Sequence, residues 1–173
     1  ISSVTVGAGG ASSIDFTSIP STYTDLVLHL SLRTDRANNI DDAKIEFNGS
    51  AGTAYSHRYL MGSGTTLSSA TETSQAYVME YGAAAGNATT GGNTSVWGVS
   101  TIYIPNYTSS NAKSMSADSA REANQATDNY LVLDAGLWNP ASNVAITSIK
   151  ISPRVGPNFV QYSTAYLYGI KNS

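Results

Sequence analysis

Between residues 23 and 36 (YTDLVLHLSLRTDR), Leu26, Leu28, Leu30 and Leu32 fall on alternate positions, interleaved with Val27, His29, Ser31 and Arg33. Successive side chains of a strand point to opposite faces, so this spacing predicts a strand with one buried leucine face. A helix would scatter the same leucines around its circumference. The stretch is expected to be the central strand of an all-β domain. Its other face, Val27, His29, Ser31 and Arg33, is expected to meet solvent or a neighbouring subunit.

The same period recurs along the chain. Residues 1–6 (ISSVTV) and 12–16 alternate, the second ending at Ile19-Pro20, because proline cannot donate to a ladder. Residues 43–47 alternate up to Asn48-Gly49, a strong turn signal. Further strands are predicted at 55–61, 75–81, 96–104, 113–120, 130–138, 145–151 and 163–170. In 130–138, Leu131, Leu133, Ala135 and Leu137 share one face; in 163–170, Ala165, Leu167 and Gly169 oppose Tyr166, Tyr168 and Ile170. Residues 82–93, rich in Gly, Ala, Thr and Asn, read as a mobile surface loop. Around 119–128 at most one helical turn is expected. About eleven strands at this spacing, with neither a composition break nor a repeat, predict one antiparallel β-sandwich of jelly-roll type spanning residues 1–173.

Composition adjusts this picture. The apolar fraction of 41% supports a real core, and eleven tyrosines argue against disorder. Charged residues make up 12%, about half the usual share, which lowers the electrostatic cost of packing against copies or a partner. With a net charge of −3 and no basic run, nucleic-acid binding through phosphate neutralisation is not expected. No apolar segment approaches the length of a helical membrane span. The chain lacks cysteine, so neither a disulfide framework nor thiol chemistry is available. It begins at Ile1 rather than Met, as expected if residues precede this numbering or are removed by processing.

Candidate chemistry is sparse. The two histidines, His29 and His57, sit inside strand patterns rather than beside a nucleophile elbow. Asp118, Glu122, Asp128 and Asp134 are the least scattered carboxylates, yet no spacing selects a glycosidase pair among them. Asp35, Asn38, Asn39, Asp41 and Asp42 offer the oxygen ligands that calcium prefers but lack the glycine and terminal glutamate of an EF-hand. A polar turn with Asx hydrogen bonds accounts for them equally well. The Gly/Ala-rich loop holds no phosphate-cradle motif. Sequons occur at Asn48, Asn87, Asn93 and Asn106, as chance allows in a Ser/Thr-rich chain. Tyr55, Tyr59, Tyr77, Tyr81, Tyr103, Tyr107, Tyr166 and Tyr168, with Trp97 and Trp138, could line a sugar platform or a protein interface; core and cross-strand packing are the other reading. No enzyme, cofactor or metal is expected.

Six motifs occur in order: SIPSTYTDLVLHLSLR (18–33), FNG (47–49), YSHRYLMGSG (55–64), IYIPNY (102–107), LWNPASNVAITSI (137–149) and STAYLYGIK (163–171). Over essentially the whole chain they resemble small β-rich virion proteins of tailed bacteriophages. The motifs are strand-and-turn grammar, so the resemblance carries over no catalytic residue. It implies a jelly-roll module acting as a capsid decoration (cement) protein on the outer head, bridging neighbouring major capsid subunits. The alternative it leaves open is a head- or tail-fibre module that recognises a host surface glycan or protein. It further implies a homotrimer, and few charges together with the long closing strand 163–170 suggest that intersubunit contacts protect some sheet edges from open-ended pairing.

Overall fold

The computed structural model describes residues 1–50, 52–86, 95–125, 128–142 and 144–171. Twelve strands account for most of them: β1 (Ser2–Thr5), β2 (Ile14–Phe16), β3 (Asp25–Arg33), β4 (Ile40–Phe47), β5 (Tyr55–Ser63), β6 (Thr66–Gln75), β7 (Val78–Ala85), β8 (Gly98–Ile104), β9 (Lys113–Arg121), β10 (Tyr130–Trp138), β11 (Ile149–Pro153) and β12 (Thr164–Ile170). Hydrogen bonding orders eight of them as β1-β12-β3-β8-β9-β10-β5-β6 and four as β2-β11-β4-β7. The two sets are joined where Leu32 and Arg33 of β3 run parallel to Ala84 and Ala85 of β7; every other ladder is antiparallel. β7 packs across β8, β9, β10 and β5, which gives an all-β sandwich with the smaller sheet over the larger.

The leucine strand lies where its pattern placed it. β3 runs between β12 and β8, with Leu26, Leu28, Leu30 and Leu32 buried and His29 exposed. Its leucines meet Ile102, Ile104, Ile45, Ile149 and Ile151 in the inter-sheet core. Phe47, Tyr55 and Trp138 form an aromatic triangle at one end, with centroids 5.6–6.4 Å apart. The Tyr55 hydroxyl accepts the Phe47 amide proton at 2.8 Å, and burial pushes its pKa up to about 12. At Asn48-Gly49 both residues have positive φ (54° and 62°), as the turn signal required.

Several expectations are corrected. β6 was not foreseen: its sequence TLSSATETSQ has no apolar alternation because no residue of this edge strand is buried. β7 extends to Ala85, so residues 82–85 belong to a strand rather than a loop, and 87–94 lie outside the described residues. Small residues suit that strand: a Cβ on Gly98 of β8 would fall 2.6 Å from the Ala83 backbone. Gly98→Ala is therefore expected to destabilise by about 1–3 kcal/mol, read as a lower denaturation midpoint. Around 119–128, β9 continues to Arg121, and the described residues beyond it contain no helical turn. The closing strand β12 lies along β3 for its whole length, and β1 covers its other side over Thr164–Leu167.

Candidate functional site

The largest departure from the sequence pattern lies on β10. Its inward residues are Val132, Asp134, Gly136 and Trp138, and its leucines point outward. The core decides this orientation. Trp138 completes the aromatic triangle, and a Cβ on Gly136 would come within 2.8 Å of Met115 and 3.1 Å of Val78. A one-residue slip would put the leucines where only glycine fits and bring the tryptophan to solvent.

The outer face of the larger sheet consequently carries an apolar patch. Leu133 lies between Asp118 of β9 and Leu60 of β5, and Leu131 lies between Ala120 and Gly62. Leu67 of β6 is paired with Gly62 and leans over it, 3.7 Å from where a Cβ would stand. Exposures are 81% for Leu67, 67% for Leu131, 58% for Leu133 and 53% for Leu60. Val99 continues the row beyond Ala120. Towards β12 the same face becomes aromatic, with Tyr103, Tyr166 and Tyr168 exposed. There the His29 imidazole sits 3.1 Å from the Thr101 hydroxyl, and the Tyr103 hydroxyl donates to Asp25 at 2.8 Å.

The inner face holds an ionisable network. His57, buried on β5, has Nδ1 3.3 Å from Asp134 of β10 and Nε2 3.4 Å from Glu72 of β6. Glu72 also accepts the Tyr81 hydroxyl at 2.6 Å, and the Tyr81 ring packs 4.6 Å from Tyr59. Burial alone would depress the imidazole, but the hydrogen bond and charge of Asp134 and the charge of Glu72 outweigh it, and its pKa rises. Burial raises Asp134, partly offset by His57. Glu80 of β7 is buried beside them and rises well above the usual carboxyl range, from desolvation first and then from the Asp134 charge. Its Oε2 accepts Ser100 at 3.4 Å, and its Oε1 has no partner among the described residues. The buried imidazole, held between the buried Asp134 and the partly exposed Glu72, ties the β5–β6 hairpin to β10.

The remaining candidates do not converge. Asp118 and Asp134 point to opposite faces of the sheet, Glu122 accepts the Asn124 amide, and Asp128 meets the Asn39 side chain at 3.4 Å. In the cluster from Asp35 to Asp42 the carboxylates are taken up by protein donors rather than presented to an ion. Asp35 accepts the Asn158 amide at 2.9 Å and its side chain at 3.0 Å; Asp42 meets Arg154 at 3.0 Å; Asp41 accepts Thr34, Asp42, Val155 and Gly156. The Asn48 side chain is engaged with Ala145, Thr147 and Ser148, whereas Asn87 and Asn93 lie outside the described residues. Tyr55, Tyr107 and Trp138 belong to the core, and Tyr77 lies beneath the Lys44 ammonium at 5.6 Å. Neither the models of known protein families nor the curated proteins contain a match to this chain.

Proposed function

We propose that this chain is a bacteriophage virion structural protein, a decoration protein that docks on the outside of the assembled head and bridges neighbouring capsid subunits. The observation that carries the reading is the outward leucine patch of Leu60, Leu67, Leu131 and Leu133 on a rigid eight-stranded sheet. Contiguous exposed apolar surface on a folded domain marks an interaction site, and a few central apolar side chains supply most of an interface's energy. Low charge suits contact with a large protein surface, because few ions need be desolvated. The order of the six sequence motifs supports the virion assignment. Binding selective for the closed shell would stabilise it by mass action.

The test is sedimentation of purified protein with empty mature capsids. Saturable binding at a fixed ratio to the coat subunit is expected. Leu131→Asp together with Leu133→Asp should weaken it at least a hundredfold while leaving the fold intact, since both side chains are solvent-exposed. Undiminished binding by that double variant would remove the patch from the interface.

A second reading, a fibre module that grips host glycan, draws on the aromatic end of the same face. Tyr166 and Tyr168 are exposed, their rings 6.5 Å apart and inclined by 20°, with His29 edge-on to Tyr168 at 5.5 Å. A glycan-array signal abolished by Tyr168→Ala, with no capsid binding, would select this reading over decoration.

A further inference from the structure

The larger sheet ends in an unusual edge. Natural edge strands are kept short or carry lysine, proline or inward charge that discourages pairing with another chain. β1 and β2 obey this, with four and three residues. β6 runs ten residues, Thr66–Gln75, with no lysine, arginine, proline or glycine; its single charge, Glu72, turns inward to His57 and stands at the far end of the regular segment, so Thr66–Thr71 carries no such device. Its pairing with β5 is one to one from Ser63↔Thr66 to His57↔Glu72; the register shifts beyond that, near Ser74 at a φ of 58°. Residues 66–72 thus form a regular segment whose second side faces no strand among the described residues.

We infer that β6 pairs antiparallel with β6 of a second copy of this chain, about a twofold axis at Ser69, joining two larger sheets into one sixteen-stranded sheet. Self-pairing follows from the sequence of the segment. About Ser69, Leu67 faces Thr71 of the other copy, Ser68 faces Ala70, and Thr66 faces Glu72. Each carboxylate therefore lies opposite a hydroxyl rather than its own copy, at the greatest separation the segment allows. Leu67, the most exposed of the large apolar side chains at 81%, gains a neighbour on the side it lacks one. An isologous pair of strands closes on itself and leaves no free β6 edge, so assembly stops at two copies. That state replaces the trimer expected from the sequence, and the inference stands independently of capsid docking.

Sedimentation velocity on the full chain, without capsids, decides it. The wild type is expected to move from monomer to dimer between about 1 and 100 micromolar, a range suited to a small interface. Ser69→Lys and Ser69→Glu place like charges opposite each other and should each be monomeric throughout; an equimolar mixture should recover the dimer. Ser69 is exposed, and far-UV circular dichroism on each variant checks that the fold survives. A wild type that stays monomeric at 100 micromolar overturns the inference. So do single variants that still dimerise, or a mixture that does not. A dimer dissolved instead by Leu131→Asp with Leu133→Asp would assign self-association to the sheet face and overturn the edge pairing equally.

Discussion

Glu80→Gln should leave stability unchanged near pH 4 and raise it progressively at higher pH, so that wild-type and variant curves diverge upward from a common acid value. Glu80 is fully buried between the sheets, and desolvation with the neighbouring Asp134 charge raises its folded-state pKa well above 4.5. In the unfolded chain the carboxyl releases its proton near that ordinary value. Between the two pKa values the folded state holds a proton that the unfolded state has lost, so stability declines as pH rises through this window. Each unit of separation removes about 1.4 kcal/mol by the time the window is passed. His57 acts in the same direction: its contribution is complete below its ordinary 6.5 and is lost as pH rises through the raised folded value. Glutamine keeps an acceptor for Ser100 and carries no titrating proton, so only the Glu80 share of the slope disappears. Urea titrations at half-unit intervals from pH 4 to 9 measure this directly. Parallel curves for the two proteins would show that the Glu80 pKa is the same in the folded and the unfolded chain.

The second large effect is at Asp41. Its carboxylate is fully buried and accepts four hydrogen bonds: Asp42 and Val155 amides on Oδ1 at 2.9 and 3.2 Å, and the Thr34 hydroxyl and Gly156 amide on Oδ2, both at 2.9 Å. It thereby ties the start of β4 to the end of β3 and to the segment after β11. Asp41→Ala strands those donors in the interior and leaves Arg36, 3.9 Å away, without its nearest counter-charge. Removing one partner of a buried charged network costs about 3–5 kcal/mol, a large part of the 5–15 kcal/mol that holds a typical domain. The expected result is a much lower urea midpoint with an unchanged slope. Asp15→Ala, at an exposed position, serves as the control and should move stability by no more than about 0.5 kcal/mol. Equal effects at the two positions would show that Asp41 is not structural.

Asp41 also shows why the site was only partly readable in advance. In sequence it belongs to a cluster of oxygen ligands, and spacing cannot tell whether those oxygens meet an ion or amides. Two of the three amides come from residues 155 and 156, more than a hundred positions away, so their arrival is a tertiary event. His57 was read as a strand-face histidine, which it is; the carboxylates on either side come from β6 and β10. β6 itself gave no signal, because a strand wet on both faces has no reason to alternate.

The sequence by itself determined that this is an all-β chain, that 25–33 is an interior strand with its leucines in the core, and that most turns fall where Pro, Gly and Asn stand. Those features depend on period and local backbone preference, which are properties of neighbouring residues. Only the tertiary structure decided which face of Tyr130–Trp138 is buried. Both faces of that strand are apolar enough to enter a core, and the outcome rests on whether partners across the sandwich leave room for leucine. Phe47, Tyr55, Met115 and Val78 leave room only for glycine and one tryptophan ring. Four leucines of three strands are thereby turned to the surface, and they form the patch that carries the functional reading.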